Sequence, residues 1–432
     1  MKSTLLTLLI GLATALMLQA APERPNVILI LSDDHAFDDH GFMGSERVNT
    51  PSLDKLANES LTYTRGYVMP VCSPTLASLL TGKLPHAHGI TGNDLASMEN
   101  ERYGKSSRQV LTRHIVSQPL LLPEAVTQAG YLTFQTGKLW NGSYQEMGFT
   151  HGMTKMTKGG RHGDEGLRIA REGMQPIYDF IETAGKAEKP FFIWHAPFLP
   201  HTPHNPPQRL LDKYQGKGPT PAAEKYFAMV EWLDETSGEL LDYLEKNQLA
   251  ENTVVIYLAD NGWNAKKGYE GQRGKMSPYE RGIRTPMLIR WPGKVAAARD
   301  TVTLAHVTDV TKTIVEITGA SDSGDLPGLN LIDRPRMKKR ETIFVEAFTH
   351  DMAELANPAE SLFAAVVIDG WWKLVLPGPA TPKRPFATAP GGVELYHLKT
   401  DPYEANNVAD QHPEVVARLK QLQQTNWNFW NP

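Results

Sequence analysis

Residues 26–34 of the sequence read NVILILSDD, an apolar run that ends in a serine and two aspartates. Two similar runs are PFFIWH at residues 190–195 and TVVIYLADNG at residues 253–262. A run that is apolar on both faces is typical of a buried strand in a parallel sheet. Helical patterns lie between these strands, over residues 51–60, 75–80, 122–129, 175–183 and 225–246. The alternation predicts an α/β fold with a doubly wound, mostly parallel central sheet and helices on both faces.

The pattern changes from about residue 336 onward. The sequence there predicts short strands without long helices between them, over residues 342–348, 362–368, 372–376 and 393–398. A final helix is predicted over residues 413–426. We therefore expect a large α/β domain over residues 21–335 and a small α+β domain over residues 336–432, in which an antiparallel sheet packs with a helix.

The first twenty residues have the features of a signal peptide. Lys2 supplies a positive charge, residues 5–18 form an apolar segment, and Ala20 is a small residue at the expected cleavage position. The apolar segment is shorter than the roughly 20 residues that span a bilayer. We therefore expect residues 1–20 to be removed on export, and the mature protein to be periplasmic or secreted, with no membrane partner.

Composition and charge exclude two classes of protein. Of the 432 residues, 41% are hydrophobic, so the chain can bury a sizeable core and is not intrinsically disordered. Lysine and arginine number 44 against 48 aspartates and glutamates, which gives a formal net charge of −4. This balance supplies no basic field for a nucleic-acid backbone, and we expect no nucleic-acid partner.

Oxygen-bearing side chains follow two of the predicted strands. Asp33 and Asp34 follow the first strand, and Asp260 and Asn261 follow the strand at residues 253–258. In open α/β sheets, ligands bind beyond the carboxyl ends of the strands. If these strands are neighbours, the three carboxylates need a cation between them, and oxygen ligands favour calcium or magnesium over zinc. The alternative is that each pair only caps a turn or the start of a helix.

Cys72 is the one cysteine of the chain and precedes a predicted helix. Pro74 suits the first turn of that helix, because its missing N–H is not needed there. A cysteine at a helix N-terminus feels the positive end of the helix dipole, which favours an anionic nucleophile. The alternative is a small buried apolar side chain.

The segment around Cys72 resembles a known family signature. Residues 72–82, CSPTLASLLTG, resemble the sulfatase signature, in which Cys-x-Pro-x-Arg is followed by Ala-x-Leu-x-Thr-Gly. Other segments resemble sulfatase motifs in the same order along the chain: residues 26–34, 137–138, 200–203, 260–262, 274–293 and 394–407. The resemblance therefore covers nearly the whole mature chain.

Membership of this family would imply a covalent mechanism. A formylglycine-generating enzyme would convert Cys72 to formylglycine, and a hydroxyl of the hydrated aldehyde would attack sulfur while the alcohol leaves. The substrate would be a sulfate ester, on a sulfated carbohydrate or an aryl compound.

The resemblance also assigns roles to individual residues. A divalent ion, Ca²⁺ with Mg²⁺ as the alternative, would be held by the two strand ends and residue 72: Asp33, Asp34, Cys72, Asp260 and Asn261. Lys138 and Lys275 would bind sulfate oxygens as point charges. His201 would protonate the leaving alkoxide as general acid.

Two features of the sequence depart from the family pattern. Leu76 replaces the signature arginine, which helps the modifying enzyme to recognise the cysteine and later supports the hydrated aldehyde. Trp140 and Asn141 stand where a histidine normally follows the Gly-Lys motif, and neither side chain can act as a base near neutral pH.

The departures leave several functions open. The protein is either a working sulfatase that has substituted both functions, an enzyme with unconverted cysteine, or an inactive relative that binds a sulfated glycan. A phosphonate or phosphate ester hydrolase of the same superfamily is a further alternative. His86, His88 and the loop at residues 159–164 are weaker candidates for lining the substrate pocket.

Overall fold

The structure is a computed structural model that describes residues 24–96, 107–156, 165–264, 273–322, 326–383 and 387–429. The predicted signal peptide and the loop at residues 159–164 lie outside the described residues. The strands are β1 (Asn26–Ser32), β2 (Leu61–Tyr67), β3 (Leu132–Gly137), β4 (His151–Gly152), β5 (Phe191–Ala196), β6 (Thr253–Ala259), β7 (Arg284–Arg290), β8 (Ala298–His306), β9 (Thr342–Phe348), β10 (Leu362–Asp369), β11 (Trp372–Pro377) and β12 (Glu394–His397). The α-helices are α1 (Pro51–Asn58), α2 (Cys72–Thr81), α3 (Pro85–His88), α4 (Ser107–Val116), α5 (Leu122–Gln128), α6 (Gln175–Lys186), α7 (Gln208–Tyr214), α8 (Pro221–Lys246), α9 (Glu280–Ile283), α10 (Val307–Thr318), α11 (Arg334–Met337) and α12 (Pro413–Asn426). Within the described residues, no helix has both the length and the apolar composition that a bilayer span requires.

Strand β1 lies inside the larger sheet, whose described strands follow the order β4-β3-β5-β1-β6-β7-β2-β8. It pairs in parallel with β5 on one side and with β6 on the other. Val27 and Leu29 face one core, into which α2 and α10 pack, and Ile28 and Ile30 face a second core with α6 and α8. Burial on both faces explains the unbroken apolar sequence of β1. The predicted doubly wound α/β fold is confirmed.

The second sheet is antiparallel, and its described strands follow the order β12-β11-β10-β9. Leu419 of α12 belongs to the same buried cluster as Leu374 and Leu395, so the last helix packs on this sheet. The predicted small sheet with its helix is therefore confirmed. The predicted division between residues 335 and 336 falls within α11, between β8 and β9, and it stays a prediction.

Helix α2 begins earlier than the sequence predicts. Cys72 is its first residue, and the extended residue Val71 is its N-cap. The thiol therefore belongs to the first turn of the helix, whereas the sequence pattern had placed it just ahead of the helix.

Candidate active site

Two strand ends bring side chains together from distant parts of the chain. Because β1 and β6 are parallel and Ser32 pairs with Ala259, the residues that follow both strands meet at one edge of the sheet. The backbone N–H of Asp34 donates to Asp260 Oδ1 at 3.2 Å, and Asn261 Nδ2 donates to Asp34 Oδ1 at 2.7 Å. The four polar residues after these strands are all buried.

Lys138 follows β3 and reaches the same edge of the sheet. Gly137 before it has a φ of 74°, and a side chain there would collide with the carbonyl oxygen of Ala196 in β5. Lys138 Nζ lies 2.6 Å from Asp33 Oδ2 and 3.7 Å from Asp260 Oδ2. The buried ammonium group therefore offsets part of the negative charge of the site.

Lys275 approaches the carboxylates from another segment of the chain. Its Nζ lies 2.6 Å from Asp34 Oδ1. The backbone N–H of the next residue, Met276, donates to the carbonyl of Pro70 at 2.9 Å. Met276 and Cys72 also belong to one small apolar cluster. These contacts hold the lysine segment against the start of α2.

Cys72 is only 1% exposed and packs in the same small cluster as Met276, the residue after Lys275. Burial lowers the pKa of Lys138, but Asp33, followed by Cys72 and Asp260, outweighs burial and raises that pKa above its ordinary value. The thiol and the acidic strand ends therefore share one buried environment.

His201 lies in the loop after β5. Its Nε2 is 3.4 Å from Asp34 Oδ2, and its Nδ1 is 2.5 Å from the carbonyl oxygen of Thr202. A carbonyl oxygen only accepts hydrogen bonds, so Nδ1 carries the proton of the neutral ring and Nε2 faces the carboxylate as a second acceptor. Two facing acceptors require a proton or a cation between them.

Arg171, which sequence reasoning did not identify, supports the His201 loop. Its guanidinium donates to the carbonyl oxygens of Pro197 and Phe198 at 2.8 and 2.9 Å. The ring of Phe198 stacks on His201 with a centroid distance of 4.3 Å. Arg171 therefore holds the backbone of Phe198, whose ring contacts His201, and no local sequence pattern marks it for this role.

The charges of the site shift pKa values in opposite directions. Burial by itself raises the pKa of Asp33, but Lys138 and His201 outweigh it and hold the pKa below its ordinary value. Burial and the charge of Asp33 raise the pKa of Asp260 well above its ordinary value. Burial also lowers the pKa of His201, against the attraction of Asp34. An added cation would favour the ionised form of Asp260.

The arrangement of unpaired acceptors fits a divalent cation. Asp33 Oδ1, Asp34 Oδ2 and Asn261 Oδ1 are buried and have no hydrogen-bond partner within the described residues. Buried acceptors of this kind are costly unless a proton or cation satisfies them. Asp33, Asp34 and His201 each place one ligand atom within 4.8 Å of the other two.

Of the other predicted ligands, Cys72 and Asp260 lie outside this group of three. Asp260 Oδ1 accepts the backbone N–H of Asp34, and Cys72 Sγ lies 3.5 Å from Asn93 Oδ1. The group of three therefore adds a nitrogen atom of His201 to the predicted ligands, and oxygen remains the main donor type.

The residues that depart from the family pattern have partners other than the acidic cluster. Leu76 is buried in the main core. Asn141 Nδ2 donates to the carbonyl oxygen of Arg108 at 2.8 Å and to Thr112 Oγ1 at 2.9 Å, both in α4. Trp140 belongs to the main core as well. The side-chain amide of Asn141 therefore helps to hold α4 in place.

His86 and His88 have structural partners. His86 Nδ1 pairs with Glu346 in β9, and its ring stacks on Trp427 at 4.7 Å. His88 is fully buried beside Ser78 Oγ at 3.1 Å, and burial lowers its pKa to about 3. Both histidines therefore serve packing between elements.

Comparison with known proteins identifies the family. The sulfatase family model matches residues 25–320, more than half of the chain, and the model of the N-sulphoglucosamine sulphohydrolase C-terminal region matches residues 269–427. The chain belongs to the sulfatase family. This sulfatase is 27% identical over 371 residues to N-acetylgalactosamine-6-sulfatase of Canis lupus familiaris, which covers 75% of this chain and 68% of the relative.

A second relative spans almost the whole sulfatase chain. Arylsulfatase A of Homo sapiens is 28% identical over 484 residues, which cover 98% of this chain and 90% of the relative. Among solved structures, BT4656 in complex with its substrate D-glucosamine-2-N,6-O-disulfate has a TM-score of 0.73 and 19% identity, covering 95% of this chain and 98% of that one. The similarity to BT4656 concerns the fold.

Proposed function

We propose that this sulfatase hydrolyses a sulfate monoester, on a sulfated glycan or an aryl compound, with a nucleophile derived from Cys72. The charge balance of the site carries the proposal. Asp33, Asp34 and Asp260, if ionised, and the ammonium groups of Lys138 and Lys275 leave one net negative charge. With His201 neutral, a divalent cation and a sulfate monoester anion bring these groups to neutrality, whereas a phosphate monoester dianion leaves them one charge more negative.

The acidic strand ends would hold the ion. The unpaired oxygens of Asp33, Asp34 and Asn261 support this assignment, with Asp260 beside them. Such oxygens favour a hard cation, so we propose Ca²⁺, with Mg²⁺ as the alternative. The ion would neutralise charge on the bound sulfate group.

The protein side chains would bind the ester and move a proton. Lys138 and Lys275, both buried, would attract sulfate oxygens as point charges in a site that excludes water. His201, once protonated on Nε2, would give that proton to the leaving oxygen. Formylglycine made from Cys72 by a formylglycine-generating enzyme would supply the hydroxyl nucleophile.

The proposal extends to where the protein works. The charged and apolar pattern of residues 1–20 supports export, so the enzyme would act in the periplasm or outside the cell. Extracellular sulfated glycans would be accessible there.

Sulfate release tests the proposal directly. The purified protein, supplied with calcium, is incubated with aryl sulfate, sulfated saccharides, and the matching phosphate and phosphonate esters. We expect turnover of a sulfate ester, and its loss in Cys72→Ala. Dominant phosphonate or phosphate turnover would overturn the proposal, and binding of sulfated saccharide by calorimetry without any product would identify a glycan-binding protein instead.

A further inference from the structure

A short backbone ladder joins the segment after α3 to the segment after β9. The N–H of Asn93 donates to the carbonyl oxygen of His350 at 2.7 Å, and the N–H of Met352 donates to that of Asp94 at 2.7 Å. A side chain at Gly92 would lie 2.8 Å from the carbonyl oxygen of His350, so only glycine permits this approach. The ladder fixes Asn93 beside His350 although 257 positions separate them.

The side chain of His350 determines which way the amide of Asn93 points. His350 Nδ1 lies 2.7 Å from Asp351 Oδ1, and a carboxylate oxygen only accepts, so Nδ1 carries a proton. His350 Nε2 of the neutral ring then accepts from Asn93 Nδ2 at 3.0 Å. The amide oxygen of Asn93 therefore faces away from His350.

That oxygen faces the first turn of α2. Asn93 Oδ1 accepts from Ser73 Oγ at 2.5 Å and from Cys72 Sγ at 3.5 Å. Both donors are buried, so water does not compete for the amide oxygen. The chain of contacts thus runs from Asp351 through His350 and Asn93 to the atom at residue 72.

We propose that Asn93 orients the nucleophilic group at residue 72 and that His350, backed by Asp351, is a positioning residue that fixes the amide of Asn93. This inference rests on the proposed function, because it assigns residue 72 as the nucleophile. Leu76 offers no polar atom to that group, and Asn93 supplies an acceptor from a different segment. The acceptor serves the thiol before conversion and a hydroxyl at the same position after it.

The S–H stretching band of Cys72 tests the contact without any activity measurement. The chain has one cysteine, so the Raman band of the unconverted, full-length mature protein reports this thiol alone. The S–H stretching band of a hydrogen-bonded thiol lies at a lower frequency than that of a free thiol. We expect Asn93→Leu to move the band to the free position, and His350→Ala to move or broaden it.

Two further variants separate positioning from folding. His350→Gln keeps an acceptor for Asn93 Nδ2, so the wild-type band should be restored. His397→Ala removes a histidine from β12, whose partner is Thr400, and should leave the band unchanged. An unchanged band in both Asn93→Leu and His350→Ala, with circular dichroism showing folded protein, would overturn the inference.

Kinetics of the converted enzyme complete the test. We expect His350→Ala to lower kcat roughly 10- to 100-fold, the range for residues that act through a contact residue, with KM nearly unchanged and His350→Gln largely restoring kcat. Equal loss in His350→Ala and His350→Gln would contradict positioning. If the wild type turns over no sulfate ester but the Raman shifts occur, the proposed function fails while the contact stands.

Discussion

The backbone N–H of Asp34 donates a 3.2 Å hydrogen bond to Asp260 Oδ1 across 226 positions of sequence. This contact follows from the parallel pairing of β1 with β6, in which Ser32 lies beside Ala259. The acidic cluster is therefore anchored by the central sheet, and its geometry depends first on the pairing of these two strands. Rigid strands hold functional groups more accurately than loops do.

The first prediction concerns the cation. We expect Ca²⁺ to raise the Tm of the wild type, because binding to the folded state alone stabilises it by about 2.7 kcal/mol at a ligand concentration of 100 Kd. Asp34→Asn should lose most of this increase, since it removes a ligand charge. Thermal unfolding over a calcium titration measures the effect. The control is Asp212→Asn, at an exposed site on α7, and an equal calcium response in both variants would contradict the assignment.

The second prediction concerns the lysines that we propose bind sulfate. Lys275→Met should lower kcat for sulfate release by about 10²- to 10³-fold, the usual effect of removing one group that stabilises transition-state charge. Methionine keeps the apolar length of the side chain while removing its charge. Steady-state kinetics in excess calcium give the value. Lys189→Met, at an exposed site, serves as the control, and a kcat within a few-fold of the wild type for Lys275→Met would refute the role.

Arg171 gives a third prediction. Its two hydrogen bonds to the carbonyl oxygens of Pro197 and Phe198 hold the ring that stacks on His201. Arg171→Met should therefore lower kcat by roughly 10-fold through a less well oriented proton donor, because small misplacements cost rate. Esters with a good leaving group, such as an activated aryl sulfate, need less protonation and should be less affected. Equal losses with poor and good leaving groups would point to a different cause.

The fourth prediction concerns the pH dependence of stability. Lys373 Nζ lies 2.6 Å from Glu404 Oε1 and 3.1 Å from Glu280 Oε1, and all three side chains are buried. Burial raises the pKa of Glu404 to about 7, while Lys373 opposes the shift and Glu280 adds to it. The folded state thus holds this proton more tightly than the unfolded state does.

The sign of the effect follows from proton linkage. The contribution of Glu404 is fully present below its ordinary pKa of 4.5. It is lost as the pH rises through about 7, at most about 1.4 kcal/mol per pH unit. Glu404→Gln cannot ionise, so its Tm relative to the wild type should increase between these pH values. Glu414→Gln on α12 is the exposed control. Parallel Tm curves for Glu404→Gln and the wild type would contradict the prediction.

In the larger sheet, the sequence predicts strands that are apolar throughout, and it misses strands such as β2 that carry polar residues. Strands β1, β5 and β6 are apolar throughout because helices cover both sides of them. Strand β2 reads LTYTRGY, and no apolar run marks it. Its Arg65 is buried because the guanidinium donates to the carbonyl oxygens of Val302 and Gly370, which are distant in sequence. Only the tertiary structure supplies those partners.

The same limit applies to the site. Asp33 was predicted from its place after an apolar strand, and Lys138 and Lys275 were predicted from their resemblance to sulfatase motifs. Asn93 and His350 carry no such pattern, and they meet only through the ladder between two segments far apart in the chain. Their contact with Cys72 could therefore not be predicted from local sequence.

The chemical state of residue 72 in the active enzyme tests the central claim most directly. The Cys72 peptide is analysed by mass spectrometry after the protein is produced in its native host, and sulfate release is measured on the same sample. We predict an aldehyde at residue 72, with kcat proportional to the converted fraction across preparations. Full sulfate ester turnover by a preparation that contains only free thiol at this position would contradict the account.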